Sequence, residues 1–339
     1  MRATTCFLAG AAVAGSALAT PLVGSRQADT CAPIPSPFPT WQQLPTQSSL
    51  PDPLLPRKYT TTDNVKDILV RKGRNRIQTP EQWYKCRQPE IMQLLQEYQY
   101  GYYPDHSQEK VEATRSGNTV NMAVTAGGKT AKFKATISLP SGASASRKAP
   151  VAWGFYRTLD ALNMTVPEMD ASRVGVTGCS RLGKGTLAAG LFDKRITVTM
   201  PMSSGVKSGA GWWTSSKLGT FVNHALNLPY DAHTIAAAIT PKALIIDQGT
   251  GDASTDSKAT AMVVYPAAKA IYDWLGVGDK IGINVRGRGH CDMSGFSSVL
   301  PFVQKVFFGT RTTKDYNNLG GYGSPMSTAF PWSTAVPRQ

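Results

Sequence analysis

Glutamate is missing from the whole chain after Glu168. Any carboxylate chemistry in the second half therefore falls to aspartates. Histidine is scarce, with four in 339 residues, so few side chains can act as a base near neutral pH. Charge is sparse too, at 17% against a hydrophobic fraction of 41%, which excludes a chain too polar to bury a core. After the first residues no apolar run approaches the about 20 that a membrane-spanning helix needs. There is no internal repeat. What charge there is leans basic: 36 Lys+Arg against 22 Asp+Glu, a net +14. That balance invites a nucleic-acid reading, yet the densest basic run, Arg71-Lys72-Gly73-Arg74-Asn75-Arg76, carries no nucleic-acid motif and reads as a solvated loop.

Residues 1–19 read as a secretory signal peptide. Arg2 supplies the positive start, Cys6 to Ala19 an apolar run too short to span a bilayer, and Ala17-Leu18-Ala19 a small-residue cleavage site. The expectation is a secreted, extracellular protein with no membrane anchor. Cleavage would remove one Arg, no acid, and Cys6. Cys31, Cys86, Cys179 and Cys291 remain. An even number in an oxidising compartment predicts two disulfides, with three connectivities open.

The remaining chain divides into a Pro-rich extended arm at 20–78, a catalytic domain at 79–309 and a loose Gly-, Ser- and Pro-rich tail at 310–339. Thr79-Pro80-Glu81-Gln82 starts a helix, with Thr79 as N-cap, Pro80 at the first position and Gln82 closing a capping box. This helix ends near Gly101. Thr119–Ala126 and Thr130–Pro140 alternate as strands around Gly127-Gly128, a hairpin. Strand Pro150–Trp153 and helix Tyr156–Leu162 follow. Then strands Val174–Thr177, Ile196–Met200, Ala243–Ile246 and Ile281–Val285 alternate with helices Gly183–Phe192, Ala232–Ile239, Ala259–Leu275 and Phe296–Phe308. That alternation predicts an α/β fold, a parallel sheet covered by helices on both faces, and the preceding hairpin makes it α/β-hydrolase-like.

Ser180 sits in Gly178-Cys179-Ser180-Arg181-Leu182-Gly183, between an apolar strand and a helix. A serine on such a turn projects its hydroxyl above the sheet edge, and the helix start offers N–H groups to an oxyanion. The generic G-x-S-x-G spacing is not met, because the second glycine comes one residue late. A serine hydroxyl needs a base. Chain order in this fold is Ser, acid, His, and of the later histidines only His290 follows the last strand. His224 and His233 come too early and read as structural. The acid must be an aspartate between Ser180 and His290. Asp252 is best placed, Asp247 lies closer to the strand end and Asp256 farther out.

Gly178-Cys179-Ser180-Arg181-Leu182-Gly183-Lys184-Gly185 resembles the G-C-S-R-x-G-K-G signature of the glucuronoyl esterases, carbohydrate esterase family fifteen. Trp83-Tyr84-Lys85-Cys86-Arg87-Gln88, Leu187-Ala188-Ala189-Gly190 with Asp193-Lys194-Arg195-Ile196, Leu228-Pro229-Tyr230-Asp231-Ala232-His233 and Gly289-His290-Cys291 extend the likeness from about Cys31 to Gly309. The resemblance implies hydrolysis of the ester between 4-O-methyl-glucuronic acid of glucuronoxylan and lignin alcohols, through an acyl-enzyme. Ser180 would be the nucleophile and His290 the base. Arg181 would stabilise the oxyanion and Lys184 would contact the sugar hydroxyls. Cys179 would pair with Cys291 and Cys31 with Cys86. No metal or cofactor is implied, the partners being glucuronoxylan and lignin–carbohydrate esters, and the expected state a monomer.

The chain departs from that family in three places. Pro201-Met202-Ser203-Ser204-Gly205 carries Ser203 where the family has a glutamate. One strand–helix unit before the nucleophile strand is missing, since Ala149-Pro150-Val151 runs almost at once into Ala152-Trp153-Gly154. The segment after Trp212-Trp213 is short. These departures leave two alternatives: a carbohydrate-binding relative without turnover, or a generic carboxylesterase. Asn163-Met164-Thr165 is an N-glycosylation sequon.

Overall fold

Thr79 starts the first helix as its sequence requires. Its hydroxyl accepts from the Gln82 N–H at 3.2 Å, and Pro80 holds the first helical position. The Gln82 side-chain carbonyl accepts from the Gln78 N–H. Helix α1, residues 80–100, stops at Gly101, whose φ of 79° no side chain favours. One face of α1 buries Trp83, Ile91, Leu94, Leu95 and Tyr98.

The structure, a computed structural model, describes residues 31, 36–56, 76–102, 106–139, 149–152, 156–204 and 214–337. The expected signal peptide, most of the basic run before Ile77, and Trp212-Trp213 lie outside these residues. By its contacts the chain divides into Met1–Cys31 and Ala32–Gln339; of the first unit only Cys31 is described.

Three strands, β1 (Lys110–Ser116), β2 (Thr119–Ala126) and β3 (Lys129–Thr136), form an antiparallel sheet in chain order. Gly127 and Gly128, at φ 53° and 74°, make the tight turn of the expected hairpin. Edge strand β3 exposes Lys129, Lys132 and Lys134, charges that blunt pairing with another chain. This sheet packs on the helix that follows: Val120, Met122, Ala135 and Ile137 meet Ala161, Leu162, Val166 and Met169.

The second sheet is parallel and five-stranded: β4 (Ala149–Ala152), β5 (Met169–Cys179), β6 (Ile196–Met202), β7 (Ala243–Gly249) and β8 (Ile281–Arg286). Its spatial order is the chain order, and one strand–helix unit, β4 with the helix after it, stands between the hairpin sheet and β5. Right-handed crossovers that all step the same way leave their helices on one face. Accordingly α2 (Tyr156–Thr165), α3 (Arg181–Phe192), α4 (Ala232–Ala238) and α5 (257–274) share a face. Leu159 and Ala189 pack there on Val174, Val176 and Ile196, and Ile235, Ala268 and Ile271 join Leu244, Ile246 and Ile283. Only α6 (Leu300–Phe308), after the last strand, covers the opposite face among the described residues, placing Phe302 and Val303 against Val198, Met200, Ala243 and Ile245. Strand β7 is therefore buried on both sides, as its unbroken apolar run suggests. The result is three layers, helices on a parallel sheet on a helix, in the short α/β-hydrolase-like form.

The tail after Gly309 is not loose. Tyr316 and Phe330 are buried, the Ile283 N–H donates to the Tyr316 carbonyl at 2.8 Å, and Trp332 Nε1 donates to the Leu50 carbonyl at 3.1 Å. A few large aromatics bury this segment despite its Gly- and Ser-rich composition.

Candidate active site

Strand β5 runs into α3 at Ser180, which holds φ 55° and ψ −120°, a conformation side chains rarely adopt. The Ser180 N–H donates to the Met202 carbonyl at 3.0 Å, so β6 fixes the turn. Two glycines permit this crossing. A β-carbon on Gly178 would stand 2.7 Å from the Leu182 carbonyl oxygen, and one on Gly183 would stand 2.7 Å from Ser204 Cβ and 3.0 Å from the Met202 oxygen. Leu182, where the generic motif has glycine, is 52% exposed. The late glycine thus meets the steric demand of this turn at the position where the demand falls.

His290 lies in the loop after β8. Its Nδ1 is 3.0 Å from both carboxylate oxygens of Asp252, leaving Nε2 for other partners. The Asp252 side chain is fully buried, while that of His290 is 29% exposed. Asp252 also accepts from the N–H groups of Ser254 at 2.8 Å and Thr255 at 3.1 Å, and from the Thr255 hydroxyl at 2.6 Å. Burial alone would raise its pKa. The hydrogen bonds from Thr255, His290 and Ser254 outweigh burial and hold it at about 2.

The other two candidate aspartates are engaged elsewhere. Asp247 is fully buried against Arg286, whose Nε lies 2.9 Å from each of its oxygens, and Asn284 Nδ2 donates to it at 2.6 Å. Asp256 caps α5, accepting from the Ala259 N–H at 2.8 Å. Ser203 is buried at φ 42°, with its hydroxyl turned to Asp252, where it helps to lower the pKa of that carboxyl.

A disulfide joins Cys179 to Cys291, with Cα atoms 5.6 Å apart and a sequence separation of 112. It ties the residue before Ser180 to the residue after His290. Among the described residues no hydrogen bond joins Ser180 to His290 directly; the bridge and the strand ends bring their loops together. Cys31 and Cys86 are each in a disulfide. Donor atoms of Cys179, Cys291 and His290 lie within 4.8 Å of one another, but both sulfurs are spent on the bridge, so this trio is no metal cage.

Arg181 is exposed at the first position of α3, where the helix dipole is positive. Lys184, one turn on, is partly buried and donates from Nζ to the Ser204 carbonyl; burial lowers its pKa. It lines a cavity of about 260 Å³ shared with Tyr100, Tyr230, Leu187, Ser204 and Gln248. His224 stacks on Trp41 at 3.4 Å. His233 is buried, with Nε2 2.8 Å from the Pro51 carbonyl and its pKa lowered by burial. Both are structural, as expected. Asn163 is exposed on α2. Sequence reasoning missed Thr255 and Arg286. Both act across loops, and only the Asp-rich segment Asp252–Asp256 hinted at the first.

This fold, with a serine on the β5–α3 turn and a bonded His–Asp pair at the neighbouring strand ends, is that of an α/β-hydrolase. A family model described as "Glucuronyl esterase, fungi" matches residues 143–217 and 207–276. The chain is 28% identical to the 4-O-methyl-glucuronoyl methylesterase of Schizophyllum commune, over 85% of this chain and 91% of that protein. It is 29% identical to the enzyme of that name from Hypocrea jecorina, over 76% and 73%. A crystal structure of a Sporotrichum thermophile glucuronoyl esterase, a serine-to-alanine mutant in complex with methyl 4-O-methyl-β-D-glucopyranuronate, superposes with a TM-score of 0.72 at 22% identity, covering 91% of this chain and 99% of the other. By these matches the chain is similar to the glucuronoyl esterases.

Proposed function

We propose that this chain is a serine carboxylic-ester hydrolase that cleaves esters of 4-O-methyl-D-glucuronate, in glucuronoxylan those made with lignin alcohols. The reading rests on one observation above all: the Asp252–His290 pair is covalently tethered, through Cys291 and Cys179, to the turn bearing Ser180.

His290 Nε2 takes the Ser180 hydroxyl proton as Oγ attacks the uronate carboxyl carbon. Asp252 holds Nδ1–H, fixes the tautomer and stabilises the imidazolium. The N–H groups at the start of α3, with Arg181, stabilise the tetrahedral oxyanion. Collapse expels the alcohol, which takes the proton from Nε2, and leaves a uronoyl ester on Ser180. Water then gives a proton to His290, attacks this ester, and releases the uronic acid as Ser180 recovers its proton. Lys184, beside the cavity, binds sugar hydroxyls. Secretion and two disulfides fit an enzyme that meets plant cell wall outside the cell, and the net positive charge draws it toward an acidic polysaccharide.

The test compares a benzyl ester of glucuronic acid with a neutral acyl ester of similar size, together with labelling of Ser180 by a fluorophosphonate. Preferential turnover of the uronate ester and labelling are expected. Equal turnover of both substrates would indicate a generic carboxylesterase. No labelling of folded protein would indicate a carbohydrate-binding relative without turnover.

A further inference from the structure

The loop from Arg286 to Ser294 carries His290, and it is held at several points. At its base the Gly251 N–H donates to the Arg288 carbonyl at 3.0 Å. A β-carbon on Gly249 would stand 2.3 Å from that same oxygen, so the two loops are in close contact. At its middle Cys291, held at φ 55°, is bound to Cys179. Beyond Cys291 the loop is tied back to the sheet by the Arg286 side chain. Arg286 Nη1 reaches back to the Asp292 carbonyl at 2.5 Å and the Ser294 carbonyl at 3.1 Å. The same guanidinium faces Asp247 through Nε and Nη2.

We propose that Arg286 is a positioning residue for His290, with Asp247 as its anchor. The proposal rests on the reading of Ser180, His290 and Asp252 given above. Asp247 is set by the sheet: it pairs in register with Asn284, and Gly249 with Arg286, across β7 and β8. The Asn284 amide also donates to it. With Asp247 fixed, the planar guanidinium has one orientation, and its remaining edge dictates where the carbonyls of Asp292 and Ser294 stand. Five donors in a rigid fork allow this; a lysine ammonium would neutralise Asp247 but is a single point of attachment. Thus the loop C-terminal to His290 is referenced to the sheet, as Asp252 is referenced to its own turn.

The variant Arg286→Lys keeps the charge beside Asp247 and gives up the fork. With folding verified by melting temperature and the disulfide by mass, four readouts apply: kcat, KM, the rate of fluorophosphonate labelling of Ser180, and the low-field proton resonance of His290 Nδ1–H. A misplacement of about 1 Å costs about 10²-fold in rate. The expected result is a fall in kcat of about 10- to 100-fold with little change in KM, an equal fall in labelling rate, and a shifted or lost resonance. A folded Arg286→Lys enzyme with wild-type kcat, labelling and resonance overturns the proposal, even if it melts lower. If this variant does not fold, the pair Asp247→Leu with Arg286→Met removes both charges together, avoids a lone buried ion, and is judged by the same readouts. Failure of the underlying reading shows separately, in the wild type: Ser180 is then not labelled, or His290→Ala is labelled at the wild-type rate.

Discussion

Replacing Gly183 with alanine should damage the site, whereas replacing Leu182 with glycine, which restores the generic elbow spacing, should not improve it. The added methyl of Gly183→Ala would lie 2.7 Å from Ser204 Cβ and 3.0 Å from the Gly178 and Met202 carbonyl oxygens. Carbon atoms rest about 3.5–4.0 Å apart, so α3 and the end of β6 must separate by up to about 1 Å. Two of the three obstructing atoms are backbone and cannot rotate away. Overpacking of this kind costs about 1–3 kcal/mol, and a lowering of Tm by roughly 2–4 °C per kcal/mol follows for a large domain. The same separation pulls on the bond from the Ser180 N–H to the Met202 carbonyl, which sets the turn. A shift of about 1 Å at the nucleophile lowers kcat by about 10²-fold. Leu182→Gly removes a half-exposed side chain and costs only the helix-propensity difference, about 1 kcal/mol, with kcat near wild type. Calorimetry and steady-state kinetics on a glucuronate ester decide the matter. A Gly183→Ala enzyme with unchanged Tm and kcat would refute the steric argument, as would a Leu182→Gly enzyme that is faster than wild type.

Asp252→Asn should leave the loop folded but favour the wrong imidazole tautomer, lowering kcat by about 10⁴-fold, as in the handling of a comparable serine–histidine–aspartate site; a loss under tenfold by initial-rate assay would remove Asp252 from the machinery. Asp252 also makes stability depend on acid. Its folded pKa of about 2 lies below the ordinary 3.8, so it contributes about 2 kcal/mol that is fully present above pH 4 and is lost as pH falls toward 2. Urea titrations at pH 5 and pH 2.5 should show that loss in the wild type, and a smaller one in Asp252→Asn. Removing the bridge with Cys179→Ser and Cys291→Ser together should cost up to about 5 kcal/mol in the chain-entropy account, and should lower kcat more than it raises KM; unaltered kcat would mean the strand ends alone align Ser180 and His290.

The parts of this molecule that were legible in sequence are those written locally. Strand β5, the serine turn and the helix after it were legible as one continuous pattern from Val174 to Phe192, although the strand itself begins earlier, at Met169. His290 is marked by order alone, as the only histidine beyond the last strand. The acid was narrowed to three aspartates and no further, because the choice depends on distant partners: Arg286 takes Asp247, the Ala259 N–H takes Asp256, and Asp252 is left to His290. Strand β1 escaped notice since Val111 and Ala113 are its only apolar residues, too few to make alternation visible. The tail was misread for a similar reason. Two buried aromatics, Tyr316 and Phe330, outweigh a composition that otherwise signals loop.

Because the parallel sheet is laid down in the order in which it is encoded, each strand leans only on its predecessor and successor. A strand–helix unit removed between the hairpin and β5 would therefore be taken from one margin of the sheet, and would leave β5 through β8 in unbroken sequence. An architecture of this kind can be trimmed from one side as a bookshelf is emptied from one end. Such trimming would leave in place the ends of β5, β7 and β8, from which the serine, the aspartate and the histidine are presented.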